Sequence, residues 1–192
     1  MAGYEVFDDP YCYPGTFVLK NKAGIKDAAS LEAFELEMST LRAEESLPDG
    51  NFSAAHYRKV HRHLFQDVYS WAGRNRTVRT GKGGNPFCYP EYIDSAINQL
   101  FKKLASGPLK GGASADEFIA AAADFLAELN AIHPFREGNG RAQLSFLYLL
   151  AARAGHALEL DKIEQETFLP AMIASFSGDT RALKEELRKL LA

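Results

Sequence analysis

"ADEFIAAAADFLAELNAIHPFREGNGRAQLSFLYLLAARAG", residues 115–155, holds two helical patterns joined by a polar turn. Just upstream, Ser114 and Glu117 have the spacing of a capping box. The serine side chain accepts a backbone N–H of the first turn, and the glutamate reaches back to the cap. Phe118, Ala122, Phe125, Leu129 and Ile132 then recur at alternating spacings of four and three, which lines one helix face. From Arg141 to Arg153 the chain is apolar almost all round, through Ala142, Leu144, Phe146, Leu147, Leu149 and Leu150. Such a helix is expected to be central and buried. Gly155 is its stop signal. Between the two helices, His133 to Arg141 places a histidine, a carboxylate, two glycines, an asparagine and an arginine inside nine residues.

Outward from this pair the chain stays helical. Residues 26–46 carry Leu31, Phe34, Met38 and Leu41 at helical spacing, and Pro48-Asp49-Gly50 stops them. Ser53 is placed to cap a second helix with Tyr57, Val60 and Leu64 inward, running on toward Trp71 and ended by Gly73. Residues 91–106 repeat Ile93, Ile97, Leu100 and Leu104 on one face, and residues 107–112 form a loop. Asp161 starts a further helix that Pro170 is expected to break. Asp179 or Thr180 caps a last one, with Leu183, Leu187, Leu190 and Leu191 together. The exception is "RNRTVRTGKGGNPFCY", residues 74–89, which alternates briefly and then meets Gly81, Gly83, Gly84 and Pro86. That pattern predicts a short β-hairpin. The fold class is therefore all-α, a helical bundle with a small β-hairpin flap. One domain is expected over 1–192, with an irregular arm over 1–24, a core over 25–178 and a C-terminal helix over 179–192.

The chain has 192 residues, of which 46% are hydrophobic, enough for a substantial core. Net charge is −3, so no broad basic footprint points to nucleic acid. Cys12 and Cys88 have neither metal-ligand spacing nor the look of a disulfide framework. The N-terminal residues lack a charged segment followed by an apolar run, and no apolar stretch approaches membrane-spanning length. A bacterial cytoplasm is the expected compartment, or a host cell if the protein is delivered as an effector.

The polar turn has a chemical reading. Gly138-Asn139-Gly140 lies just ahead of a buried helix, where glycine permits positive φ and close approach. Successive backbone N–H groups there form an anion-binding nest, and the helix N-terminus adds its dipole. Arg141 offers a planar fork to an oxyanion. Glu137 would repel phosphate unless a divalent cation lies between them, and Mg²⁺ takes one or two carboxylates together with phosphate oxygens. His133 can act as a general base near neutral pH. Together these point to a nucleotide with Mg²⁺ and to transfer of a phosphate-containing group onto a hydroxyl. Phe135 is expected in the core, Pro134 in the turn, Arg136 in solvent, Lys82 as a solvated charge and Cys88 as a packing residue.

His133-Pro-Phe-Arg-Glu-Gly-Asn-Gly-Arg141 resembles the signature of the Fic family, H-x-F-x-[D/E]-G-N-G-R-x-x-R. "LFQDVYSWAGRNRTV" (64–78), "GKGGNPF" (81–87) and "ELNAIHPF" (128–135) also look like the Fic core, in the family's order. The resemblance runs from about Asp9 to about Ser177, and the arm "DDPYCYPGT" looks most like the FicT/VbhT-like toxin branch. It implies the Fic fold and transfer of AMP from ATP to a Ser, Thr or Tyr hydroxyl of a target protein, with release of pyrophosphate. His133 would be the base and Glu137 the Mg²⁺ ligand. Gly138, Asn139 and Gly140 would line the phosphate nest, and Arg141 would bind the phosphate tail. The flap around Gly81, Lys82, Gly83, Gly84 and Phe87 would hold the target by strand addition.

The family's second arginine is Leu144 here, which bears on how a γ-phosphate would be held and leaves other donors open. An internal inhibitory [S/T]-x-x-x-E-[G/N] is not found: Thr40 has Glu44 four residues on, but Glu45 follows. A small separate antitoxin is therefore the implied regulator. Gyrase and topoisomerase IV are target candidates by resemblance only. The alternatives are a Fic enzyme moving phosphate, phosphocholine or another nucleotide, and a non-catalytic nucleotide-binding or docking module.

Overall fold

The computed structural model describes residues 9–104 and 106–192; what was expected of residues 1–8 and of Ala105 lies outside the described residues. Among the described residues seven α-helices run in order: α1 (Ala28–Glu44), α2 (Ala54–Phe65), α3 (Pro90–Lys103), α4 (Ala115–Ile132), α5 (Asn139–Ala154), α6 (Gln165–Phe176) and α7 (Arg181–Leu190). The strands β1 (Gly81–Lys82) and β2 (Asn85–Pro86) form a hairpin between α2 and α3. Among the described residues, no helix is long and apolar enough to cross a membrane.

The pair predicted from residues 115–155 is the centre of the bundle. α4 packs against α3, α5, α6 and α7, while α5 packs against α2 and α4. The Ser114 hydroxyl accepts the Glu117 N–H, and the Glu117 carboxylate accepts the Ser114 N–H, closing the capping box. Phe118, Ala122, Phe125, Leu129 and Ile132 are all buried. Phe146 of α5 is the hub of an aromatic cluster, 5.4 Å from the rings of both Tyr57 and Phe101. Ser53 caps α2 and Gly155 ends α5 in the left-handed conformation.

Four expectations are corrected. α1 buries Leu31, Glu35 and Ser39, while Leu41 is exposed and Phe34 and Met38 are only partly buried. The stripe is turned because Glu35 and Ser39 bind a side chain of α5, described below. α2 stops at Phe65 instead of running toward Trp71. α5 is not buried all round: Tyr148 is 46% exposed. α6 continues through Pro170. The missing N–H there deprives only the Glu166 carbonyl, which sits on an exposed first turn where water can replace the bond. Cys12 and Cys88 are both free thiols.

Candidate active site

α4 ends on His133, whose backbone is left-handed at φ 47° and ψ 62°, and whose N–H donates to the Leu129 carbonyl at 3.0 Å. A residue with a Cβ is uncommon in this region and needs its surroundings to hold it there. Pro134 prevents the helix from continuing, and Phe135 plunges into the core. Asn139 then closes the turn on itself. Its side-chain oxygen accepts the Phe135 N–H at 3.0 Å, and its amide donates to the Phe135 carbonyl at 2.8 Å. Gly138 sits at φ 79° with its missing Cβ position 2.3 Å from the Phe65 ring, so no other residue fits there. At Gly140 the Cβ position meets nothing within 4 Å, and the α5 N-terminus is open toward a cavity.

One histidine side chain, His61, braces the loop from below. His61 Nδ1 accepts the Gly73 N–H at 2.9 Å, which makes Nε2 the protonated nitrogen that donates to the Glu137 carbonyl at 2.9 Å. Its ring stacks on Phe135 at 3.7 Å. Burial holds the His61 pKa down to about 3. Arg136, expected in solvent, is 5% exposed and paired with Asp9 of the N-terminal arm at 2.5 Å. The arm thus reaches the signature loop, and the arginine serves the loop's inner side.

A cavity of about 690 Å³ opens over this loop. His133, Glu137, Gly138, Gly140 and Arg141 form its floor; Lys82, Gly83, Asn85 and Phe87 of the hairpin form one wall, and α6 forms the other through Phe168, Met172 and Phe176. Leu144 lines it one turn beyond Arg141. Gly83 and Gly84 both have positive φ, at 57° and 79°, as a two-residue type I′ hairpin requires.

His133 is pushed down to about 3, first by burial and then by the cations Arg76, Lys82 and Arg136, against a hydrogen bond to the Asn130 backbone. Its imidazole is neutral at pH 7. Burial, followed by the neighbouring Glu35, pushes Glu137 above the usual carboxylate value. Its Oε1 accepts the Gly138 N–H at 2.8 Å. Among the described residues no three His, Cys, Asp or Glu side chains cluster as a metal site. A half-buried carboxylate lining an open cavity nevertheless suits Mg²⁺, which draws its other ligands from phosphate and water.

Sequence comparison supplies the family. The model of the Fic/DOC family matches residues 51–151, from just before the cap of α2 into the last turn of α5. The chain belongs to the Fic/DOC family. It is 54% identical over the full length of both chains to a probable protein adenylyltransferase, y4lH, of Sinorhizobium fredii. It is 38% identical to the protein adenylyltransferase VbhT of Bartonella schoenbuchensis, matching 100% of this chain and 41% of that one. Among solved structures, the effector BepC of Bartonella tribocorum with bound AMPPNP superposes with a TM-score of 0.86 at 31% identity, covering 95% of this chain and 96% of that one.

Most of the Fic residues singled out in the sequence do meet at the cavity. Asn139 is different: its buried side chain closes the turn and does not line the cavity. Gly81 and Gly84 belong to the hairpin but do not line the cavity, and Phe87 lies under the flap, stacked on His133 at 3.8 Å. Four participants escaped the sequence reading: His61, Arg76, and the pair Glu35 and Tyr69, which are joined by a hydrogen bond beside Arg141. Glu35 left a trace, a carboxylate four residues after Leu31 in the buried register of α1.

Proposed function

We propose that this Fic protein is a protein adenylyltransferase that joins AMP from ATP to a Ser, Thr or Tyr hydroxyl of a target protein. The observation that carries the reading is the meeting of a neutral, buried His133 with the open N-terminus of α5 at one cavity. The names of the relatives and the AMPPNP bound to BepC support it. In this reading the target hydroxyl oxygen attacks the α-phosphorus, and the bond to the bridging oxygen of pyrophosphate breaks. His133 takes the hydroxyl proton. The backbone at Gly138–Gly140, the α5 dipole and Arg141 hold the phosphates. Glu137 would hold Mg²⁺, which when bound offsets charge between the phosphates. The hairpin offers strand edges to an extended target segment, with Lys82 and Gly83 beside the cavity.

A partner antitoxin and a topoisomerase target are carried by resemblance alone. One observation favours a second reading of the donor: Leu144 puts a methyl-bearing side chain where the signature has its second arginine, on the cavity wall. A nucleotide other than ATP, or a diphosphate donor, then fits the same floor. The deciding experiment incubates the protein with bacterial lysate, Mg²⁺ and ATP labelled at the α or the γ position, beside His133→Ala. Protein labelled from α only, and falling by about 10²–10⁴-fold in the variant, is the expected result. Label from γ would overturn AMP transfer, and an unchanged yield in His133→Ala would remove the base.

A further inference from the structure

We propose that Arg76 is a positioning residue that fixes the His133 imidazole and ties it to the flap. The inference rests on His133 being the base. Arg76 lies between α2 and β1 with 2% of its surface exposed. Its guanidinium is spent on main-chain carbonyls from three places. Nη1 donates to Val78 at 2.6 Å, on the approach to β1. Nη2 donates to Cys88, just past β2, and to Ile132 at 3.3 Å. Nε donates to the His133 carbonyl at 2.8 Å. The Arg76 N–H adds a bond to the Pro134 carbonyl at 2.8 Å. Both ends of the flap and the last turn of α4 therefore converge on one side chain.

This matters because of where His133 sits. Its left-handed backbone turns its carbonyl out of the α4 ladder, and a buried carbonyl needs a donor. Arg76 is that donor. The imidazole itself lies against Phe87, with ring planes 3° apart. The Phe87 N–H donates to the Thr80 carbonyl at 3.0 Å, and the next residue, Cys88, is an Arg76 acceptor. The imidazole thus rests on a ring just past β2 and hangs from the α4 turn, and the main chain at both places is bonded to Arg76. A lysine keeps the charge but presents its donors at a single point and cannot span four carbonyls. The charged groups that press on His133 include Arg76, Lys82 from the flap and Arg136 from the signature loop.

The test compares Arg76→Lys, Arg76→Gln and Phe87→Leu. In protein carrying ¹³C-histidine, the His133 Cε1–H resonance is expected upfield, under the Phe87 ring, and not titrating between pH 5 and 8. Phe87→Leu supplies the unstacked reference shift. Arg76→Lys should move the resonance toward that reference while the melting profile stays cooperative. Arg76→Gln should in addition let His133 titrate at higher pH, because a facing cation is gone. Initial rates of label transfer from α-labelled ATP at saturating ATP should fall about 10²-fold in Arg76→Lys, with KM for ATP unchanged. A folded Arg76→Lys whose His133 resonance stays at the wild-type shift would overturn the proposal. If Arg76→Gln does not fold, Arg76→Lys against Phe87→Leu still decides. A wild-type protein that transfers no AMP would count against the activity, and the resonance would still judge Arg76.

Discussion

Glu35 of α1 and Arg141 of α5 form an ion pair at the edge of the cavity. The same carboxylate accepts the Tyr69 hydroxyl, Ser39 accepts a second Arg141 N–H at 2.8 Å, and the Phe65 ring lies 4.7 Å under the guanidinium. The arginine assigned to phosphate is thus already oriented, and already partly neutralised, by α1. It also explains the turned face of that helix. A carboxylate and a hydroxyl take core positions because the guanidinium they hold comes from the site.

Replacing Glu35 with Gln should therefore tighten nucleotide binding. The amide keeps the shape and an acceptor for Tyr69 or Arg141, and it removes a negative charge that repels phosphate. Calorimetric titration with AMPPNP and Mg²⁺ is expected to give a Kd lower by about 3- to 10-fold, equivalent to ~1 kcal/mol of relieved repulsion near a partly exposed pair. A weaker Kd in a folded variant would mean that orientation of Arg141 outweighs its charge.

The two signature glycines should fail differently. Gly138→Ala forces a Cβ against the Phe65 ring at a positive φ. Overpacking and backbone strain together are expected to cost about 2–4 kcal/mol of stability. Gly140→Ala meets nothing and has ordinary backbone, so its melting temperature should stay near wild type. Its new methyl instead narrows the cavity floor, and AMPPNP binding should weaken. Equal losses of stability in both variants would contradict this geometry.

Arg136→Ala is expected to be strongly destabilising, the reverse of what an exposed loop charge would give. Its partner Asp9 would be left buried without this cation, a situation that typically costs about 3–5 kcal/mol. A double-mutant cycle with Asp9→Ala, read by denaturant unfolding, should return a coupling energy above about 1 kcal/mol. Additive losses would dissolve the link between arm and loop.

The contrast between Arg136 and Phe118 marks how far the sequence could be read. The α4 and α5 stripes were legible because helical periodicity and a capping box are local signals, and the bundle follows from them. The cavity floor was legible because one turn carries nearly all of it. Arg136, Glu35 and Arg76 were not. Each owes its position to a partner far along the chain, at Asp9, Arg141 and His133 respectively. No local pattern distinguishes a charged side chain that meets such a partner from one that meets water. Pro170 misled for the opposite reason: a local rule yielded where its cost fell on an exposed turn.

Acid should unfold this protein through its buried histidines. His61 and His133 are each held down to about 3 in the folded state, against about 6.5 in an unfolded chain. Between those values the unfolded chain binds protons that the folded one refuses. Stability present above pH 6.5 is therefore lost as pH falls toward 3, at about 1.4 kcal/mol per pH unit for each histidine. Glu137 acts in the opposite sense, because its raised pKa lets the folded state take up a proton first. It is one group against two. Melting temperature should be highest above pH 6.5 and fall steadily toward pH 4.5. Unfolding at pH 5.5, followed by calorimetry in buffers of different ionisation enthalpy, should take up between one and two protons. A melting temperature that rises on acidification, or unfolding that releases protons at pH 5.5, would show that the two imidazoles are not held neutral by burial.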